Sequence, residues 1–187
     1  MTERIAEEMK GQMTERITGQ KPGQMKRVNA LRAHPLYQKY YRELEELEKD
    51  RIFCRHQMPH LLDVARIAWI LNLERGLGFD REVVYAAAVL HDIGKALQYT
   101  EKIPHEKAGE EIAAQILGDL PEELAFSEEE KQMILRAIAG HRRWREDMEP
   151  LESLLYESDK RSRQCFACPA ESECDWSPEK KNLEIDI

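Results

Sequence analysis

The sequence predicts an all-helical fold, and three observations support that prediction. Apolar residues recur every three or four positions through most of residues 36–159, which is the spacing of one face of an amphipathic helix. No segment shows a convincing alternation of apolar and polar residues, so no strand is expected. The 187 residues include 42% hydrophobic and 34% charged residues, which suits one domain with a substantial core. We therefore expect a single-domain helical bundle.

About six main helices are expected, and several have recognisable ends. They cover residues 36–50, 59–75, 81–91, 104–117, 128–141 and 150–159. Proline stands in the first turn of the second, fourth and sixth helices, where its missing N–H is not needed. Asp80 is expected to cap the third helix, and Ser127 with Glu130 to form a capping box on the fifth.

The segment Tyr85–Lys95 carries the first sign of chemistry. A small, apolar, helix-forming run ends in two adjacent metal-capable side chains, His91 and Asp92, and Gly94 then interrupts the helix. A neutral imidazole nitrogen and an anionic carboxylate oxygen together suit a divalent transition metal. The pair alone is a weak indication, because short motifs often match by chance.

Further histidines and one aspartate extend this pair into an ordered set. In chain order the set is His60, His91, Asp92, His105, His141 and Asp159. The order resembles the HD-domain superfamily of metal-dependent phosphohydrolases, in its two-metal branch. The resemblance extends to the flanking residues in His60-Leu-Leu-Asp-Val-Ala, to Ile93-Gly94-Lys95 and to Ser158-Asp159-Lys160. It covers about residues 36–164 and implies an HD-type helical bundle.

The resemblance also implies two divalent transition metals, such as iron or manganese. One ion would be held by His60, His91, Asp92 and Asp159. Asp92 would bridge to a second ion held by His105 and His141. The expected activity is hydrolysis of a phosphate ester or anhydride through a metal-activated water, with Asp92 and Lys95 in catalytic roles.

Several basic residues lie close in sequence to the proposed ligands and could bind phosphate. We expect Lys95, and Arg142 or Arg145, to contact the substrate, because phosphoryl transfer needs positive charge around the non-bridging oxygens. His56 lies one helical turn before His60 and is expected to support a ligand or contact the substrate. The expected partner is a small phosphorylated molecule, a nucleotide, although no residue that would read the base is recognisable.

Two other functions stay open at this point. Members of the same superfamily that resemble inositol oxygenase use a similar ligand order around two irons to activate dioxygen. A non-catalytic nucleotide-binding module is the other alternative, although its usual sign, a missing ligand, is absent from the sequence.

The four cysteines form a separate candidate site. Cys165, Cys168 and Cys174 follow one another closely, and Cys54 precedes His60 by six residues, as Cys165 follows Asp159 by six. If the second and sixth helices run antiparallel and meet at the metal, all four thiols would come to one end of the bundle. They could bind zinc or an iron–sulfur cluster, or remain free thiols.

Charge and hydropathy limit the partners. A net charge of -8 and a pI near 5.4 argue against a long nucleic acid as ligand. The longest uncharged apolar run, Val83–Leu90, is too short to cross a bilayer, and no signal peptide is recognisable, so a cytoplasmic protein is expected. The oligomeric state is left open.

Domain boundaries follow from the same patterns. Residues 1–35 are expected to form a polar, flexible tail, within which Met1-Thr-Glu-Arg-Ile recurs twelve residues later at Met13. Met25 is a plausible start of the structured chain. The metal-binding domain is expected over 36–164, and a cysteine-containing extension over 165–187.

Overall fold

The computed structural model describes residues 24–186 and confirms the all-helical fold. Eight α-helices occur within this range: α1 Lys26–Ala33, α2 Pro35–Leu47, α3 Met58–Glu74, α4 Arg81–Leu90, α5 Lys95–Glu101, α6 His105–Gly118, α7 Glu128–Gly140 and α8 Pro150–Arg161. Short 3-10 turns cover Glu122–Leu124, Cys165–Ala167, Glu171–Glu173 and Pro178–Lys180. Residues 24–186 contain no strand.

Two helices begin at the capping residues that the sequence predicted. The Asp80 carboxylate accepts hydrogen bonds from the backbone N–H groups of Glu82 and Val83 at the start of α4. Ser127 and Glu130 form the expected reciprocal capping box at the start of α7. These side chains satisfy N–H groups that have no partner within the helix.

The helical unit begins before residue 36, the expected domain boundary, and directly after Met25, the residue named as a plausible start of the structured chain. Val28 and Leu31 of α1 are buried in the core. Arg27 makes ion pairs of 2.7 to 3.0 Å with Asp80, Glu82 and Glu130, which ties α1 to the starts of α4 and α7. Residues 26–33 therefore belong to the bundle, while most of the repeat lies outside the described residues.

Helix α4 occupies the centre of the bundle and positions the residues that follow it. It packs against α1, α3, α7 and α8. Its buried side chains are mainly alanine and valine, whose small size lets neighbouring helices approach closely: Val83, Val84, Ala86, Ala87, Ala88, Val89 and Leu90. Within residues 24–186, none of the helices has the length and apolar character needed to cross a bilayer.

Candidate metal centre

The helices bring the six proposed ligands together inside the bundle. Each of them lies in the first turn of a helix, near its last turn, or directly after its end. In order they are His60 of α3, His91 and Asp92 after α4, His105 of α6, His141 after α7 and Asp159 of α8. Five of the six are buried, and the His60 side chain is 13% exposed. A polar centre therefore lies within an otherwise apolar core.

Gly94 allows two parts of this centre to approach each other. A Cβ atom at this position would lie 2.2 Å from the His105 carbonyl oxygen and 2.4 Å from the Gly109 backbone nitrogen. Both contacts are far below van der Waals separation and involve backbone atoms. Glycine is thus needed so that the start of α6, with His105, can pack against the turn that carries His91 and Asp92.

The Asp92 carboxylate lies between two groups of imidazoles. Its Oδ2 atom is 3.4 Å from His60 Nε2 and 3.1 Å from His91 Nε2. Its Oδ1 atom is 3.5 Å from His105 Nε2 and 3.7 Å from His141 Nε2. The ligand atoms form two compact sets that share Asp92, which is the arrangement of a carboxylate that bridges two ions.

Asp159 lies beside the first set. Its Oδ1 atom is 3.5 Å from His60 Nε2 and 3.9 Å from His91 Nε2. Its other carboxylate oxygen contacts Lys160 and lies 3.6 Å from an Arg163 nitrogen. One oxygen of Asp159 thus faces the centre, and the other faces basic side chains.

Hydrogen bonds orient all four imidazoles so that Nε2 points inward. The Nδ1 partners are Ser162 Oγ for His60, Ala88 O for His91, Gln98 Oε1 for His105 and Ile138 O for His141. These distances are 3.2, 2.6, 2.6 and 2.7 Å, respectively. An Nδ1–H group that donates outward leaves the Nε2 lone pair free for a metal.

Two of the inward nitrogens are buried without a hydrogen-bond partner, namely Nε2 of His60 and Nε2 of His91. Buried polar atoms are rarely left in this state, because an unmade hydrogen bond is costly. A divalent cation would satisfy both nitrogens, and the nitrogen and oxygen donors suit a transition metal. The residues present therefore fit the metals that the sequence resemblance implies.

The electrostatics of the centre favour ionised carboxylates. Burial opposes the charge of Asp92, but His91, His56 and Lys95 together hold the pKa of Asp92 well below its usual value. Burial likewise opposes charge on Asp159, and Lys160 and His91 lower the pKa of that carboxyl. Both carboxylates are thus ionised at neutral pH and able to bind cations.

The histidines respond differently to the same surroundings. Burial lowers the pKa of His105 to about 2, so its imidazole is neutral and can act as a ligand. Burial also acts against charge on His91, but the neighbouring Asp92 carboxylate outweighs it and raises the pKa of His91. A cation at this site would compete with that proton.

A cavity of about 610 Å³ opens onto the centre. Its walls include five basic residues that lie within four positions of a proposed ligand in sequence: Lys95, Arg142, Lys160, Arg161 and Arg163. The Lys95 ammonium lies 3.9 Å from Asp92 Oδ1, and Arg142 pairs with Glu106 at 3.1 Å. The volume is in the range of small-molecule sites.

Two of the predicted substrate-binding residues, Arg145 and His56, differ from each other in their position relative to the cavity. Arg145 pairs with the buried Glu152 at 2.5 Å and does not line the cavity. His56 does line it, and its Nδ1 atom lies 2.5 Å from Glu48 Oε1. Of the two arginines named as alternatives, only Arg142 is brought to the centre.

The cavity also has a wall that the sequence pattern did not indicate. It includes Tyr156 of α8 and, from the extension after α8, Trp176, Glu179, Lys180 and Asn182. Ser162 and Gln98, which orient histidines, were missed as well. These residues belong to no recognisable motif, and only the tertiary fold brings them to the site.

The four cysteines lie outside the α-helices. Cys54 lies in the non-helical segment before α3, because α3 begins at Met58. A continuous helix therefore does not connect Cys54 to His60. Cys165 lies in a 3-10 turn after the end of α8.

The fold and the site together define a class: helical-bundle proteins with histidine and aspartate donors arranged for two metals. A sequence model of the family described as HD domain matches residues 59–164, which is more than half of the chain. The chain belongs to the HD domain family. No solved structure matches it.

Relatives extend this picture. A Clostridium beijerinckii protein named only as uncharacterized is 44% identical over 161 residues, covering 86% of this chain and 99% of its own. Ribonuclease Y of Enterococcus faecalis is 30% identical over 109 residues, and ribonuclease Y of Clostridium tetani 26% over 125. These two matches cover 58% and 67% of this chain but only 18% and 21% of the ribonucleases. The similarity is thus confined to about one fifth of each ribonuclease, which is the length of one domain.

Proposed function

We propose that the protein is a metal-dependent phosphohydrolase that cleaves a phosphate ester or anhydride of a small nucleotide. The observation that carries this proposal is the position of Asp92, whose two carboxylate oxygens face two separate imidazole pairs. Two divalent ions bound there would supply an activated water and neutralise charge on the phosphate.

The residues of the chain would then position and stabilise the substrate. His60, His91 and Asp159 would hold one ion, His105 and His141 the other, and Asp92 both. Lys95 lies beside Asp92 and lines the cavity, where its ammonium would stabilise negative charge on a phosphoryl oxygen. Arg142 lies on the wall beside the second pair of imidazoles and would bind a non-reacting phosphate oxygen.

The charge of the cavity supports a phosphate substrate. The whole chain is acidic, with a net charge of -8, yet six basic side chains line this cavity against four acidic ones, two of which are the proposed ligands Asp92 and Asp159. A local concentration of cations attracts a small anion without creating the broad basic surface that long nucleic acids need. The relatives named ribonuclease Y also support phosphoester chemistry, because their name denotes cleavage of RNA.

The experiment that tests the proposal combines a metal assay with a substrate screen. Protein purified without added metal is analysed for bound ions, loaded with manganese or iron, and incubated with nucleotides, dinucleoside polyphosphates and short RNA. In oxygen-18 water, hydrolysis should place the label in the phosphate-bearing product without consumption of dioxygen. Asp92→Ala should be inactive, whereas Asp119→Ala, an exposed carboxylate outside the cavity, should behave as wild type.

The alternatives give different results in the same screen. Substrate-dependent oxygen uptake without phosphate release would replace the hydrolase with a dinuclear-iron oxygenase. Tight nucleotide binding without turnover in metal-loaded protein would favour a non-catalytic module.

A further inference from the structure

The four cysteines lie outside the part of the chain that the HD domain describes. Cys54 precedes residue 59, and Cys165, Cys168 and Cys174 follow residue 164. None of the four lines the cavity at the metal centre. The site proposed above therefore leaves these thiols without a function.

The two segments that carry the cysteines meet in the fold. One shallow cavity is lined by residues 51–53 and 55 from the segment before α3, and by Pro169, Ala170 and Glu173 from the extension. These residues immediately flank Cys54 on one side, and lie between Cys168 and Cys174 on the other. The chain thus places both groups of cysteines at one edge of the molecule.

The thiols are close enough to influence one another electrostatically. Cys54 is an exposed residue, but partial desolvation of its thiol raises the pKa of that thiol, Arg163 opposes that change, and Cys165 and Cys168 add to it. Cys165 and Cys174 both contribute to raising the pKa of the Lys181 ammonium, after its hydrogen bond to Glu171. Cys165 therefore lies near both Cys54 and Lys181. Two cations, Arg163 and Lys181, lie near the four cysteines.

The extension has little apolar burial to hold it in place. Ala170 is buried, whereas three larger apolar side chains are not: Phe166 is 46% exposed, Trp176 36% and Leu183 49%. Its three cysteines instead lie on successive tight turns closed by backbone hydrogen bonds of 3.1 to 3.2 Å. A segment with this composition is typical of a structure held by a metal in place of a hydrophobic core.

We propose that Cys54, Cys165, Cys168 and Cys174 bind an iron–sulfur cluster. A single zinc ion with bonds of about 2.3 Å would hold its four sulfurs about 3.8 Å apart. In the described residues, no three cysteine sulfurs lie within 4.8 Å of one another. In a four-iron, four-sulfide cluster each thiolate binds a different iron, so the sulfurs lie farther apart than around one zinc ion, in agreement with this arrangement.

The proposed cluster also bears on the catalytic cavity. The chain that follows Cys174 supplies Trp176, Glu179, Lys180 and Asn182 to the cavity wall. Arg163 lies 3.9 Å from the Trp176 ring centroid, and the Asn182 amide donates to the carbonyls of Lys160, Arg161 and Arg163. The cluster would anchor one end of this wall and these contacts the other.

The test uses the full chain purified under anaerobic conditions. Acid-labile sulfide, iron and zinc are measured per chain together with the visible absorption spectrum. Sulfide is the decisive quantity, because the histidine and aspartate centre could bind iron but not sulfide. The proposal predicts sulfide and a visible charge-transfer band in the wild type, and the loss of both in Cys54→Ser and in Cys168→Ser.

Two controls distinguish loss of the cluster from failure to fold. Ser172→Ala changes an exposed residue between two of the cysteines and should retain the full sulfide content. Asp92→Ala should also retain it, which separates this proposal from that of the catalytic metals. Helical circular dichroism and protease cleavage after residue 174 are followed in each variant, and only the cleavage should increase when a cysteine is lost.

Three outcomes would overturn the proposal. Wild-type protein without sulfide excludes the cluster, and one zinc per chain without sulfide assigns the thiols to zinc instead. Full sulfide in Cys54→Ser, with loss in Cys168→Ser, excludes Cys54 from the ligand set.

Discussion

The hydroxyl oxygen of Ser162 lies 3.2 Å from Nδ1 of His60, although the two residues are 102 positions apart. The same hydroxyl donates its proton to the Asp159 carbonyl at 2.8 Å, so it accepts a hydrogen bond from the imidazole. Ser162 thereby sets the orientation of one proposed ligand from the helix that carries another.

Replacement of Ser162 by alanine should therefore weaken metal binding without removing a ligand. We expect a loss of about 10- to 100-fold in affinity for the ion at His60, because the imidazole loses the group that fixes its orientation. Competition with a chelating dye measures the affinity. Ser153→Ala, on α8 and outside the cavity wall, is the matched control. Equal affinities in both variants would show that the hydrogen bond has no role.

Removal of Asp92 should affect both ions, whereas removal of His141 should affect mainly one. Asp92 Oδ2 faces His60 and His91, and Oδ1 faces His105 and His141. Asp92→Ala therefore takes a ligand from each set, while His141→Ala takes one from the second set alone. Elemental analysis after anaerobic purification gives the stoichiometry. Retention of both ions by Asp92→Ala would contradict the bridging role.

The helix ends could be predicted because the interactions that define them are local. Asp80 caps residues two and three positions away, and Ser127 pairs with Glu130. Helix α1 was missed for the opposite reason. Its anchor, Arg27, pairs with Glu82 and Glu130, which are 55 and 103 positions away, and no local pattern reports such contacts.

The candidate site likewise contains residues that the sequence could predict and residues that it could not. The six proposed ligands were recognisable because they form a known ordered pattern, and the structure brings them together. Gln98 orients His105, and Trp176 lines the cavity, yet neither belongs to that pattern. Their roles arise from packing between segments far apart in the chain. Arg142 and Arg145 could not be distinguished by sequence, because both follow His141 closely.

Gly94→Ala should destabilise the fold and disturb the second metal set. The new methyl group would meet the His105 carbonyl oxygen at 2.2 Å and the Gly109 nitrogen at 2.4 Å, so the start of α6 must move. Overpacking of this kind costs about 1–3 kcal/mol. Gly118→Ala, which meets nothing within 4 Å, is the control. Thermal unfolding and metal content are measured for both, and an unchanged Gly94→Ala protein would show that α6 is free to shift.

Glu48 should make stability depend on pH in mildly acidic solution. Its fully buried carboxylate accepts hydrogen bonds from the His56 backbone at 2.7 Å and the Tyr99 hydroxyl at 2.8 Å. Burial would raise the pKa of Glu48, but the bonds from His56 and Tyr99 outweigh it and lower that pKa. A lowered pKa means that the stabilisation is present above the unfolded pKa, near 4.3, and is lost as pH falls through the folded pKa.

The measurement is urea unfolding of metal-free protein between pH 7 and pH 3.5. Glu48→Gln should be less stable than wild type by about 1–3 kcal/mol at pH 7, and the difference should shrink as the pH falls below about 4. Burial and the bond to Glu48 raise the pKa of Tyr99 to about 12, so the tyrosine does not titrate in this range. Glu46→Gln, whose side chain is 77% exposed, serves as the control. A difference that stays constant with pH would assign the effect to packing rather than charge.

Arg142 and Arg145 provide the sharpest test of how the cavity binds phosphate. Arg142 lines the cavity and pairs with Glu106, whereas Arg145 is held by the buried Glu152 outside it. Arg142→Ala should lower kcat/KM for the phosphate substrate by about 100-fold with metal content unchanged, because it removes one charged donor to a non-reacting phosphate oxygen of the substrate. Arg142→Lys should recover part of this loss.

Arg136→Ala is the matched control for the loss of one arginine. Arg136 lies on α7, six residues before Arg142, with its side chain 63% exposed and outside the cavity. It should retain wild-type kcat/KM. Arg145→Ala should act differently from both, because the buried Glu152 carboxylate would keep its hydrogen bond from the Glu149 N–H but lose its charged partner, which lowers thermal stability. If Arg145→Ala instead reduced kcat/KM more than Arg142→Ala at unchanged stability, Arg145 would be the substrate-binding arginine and the cavity would have to close around it.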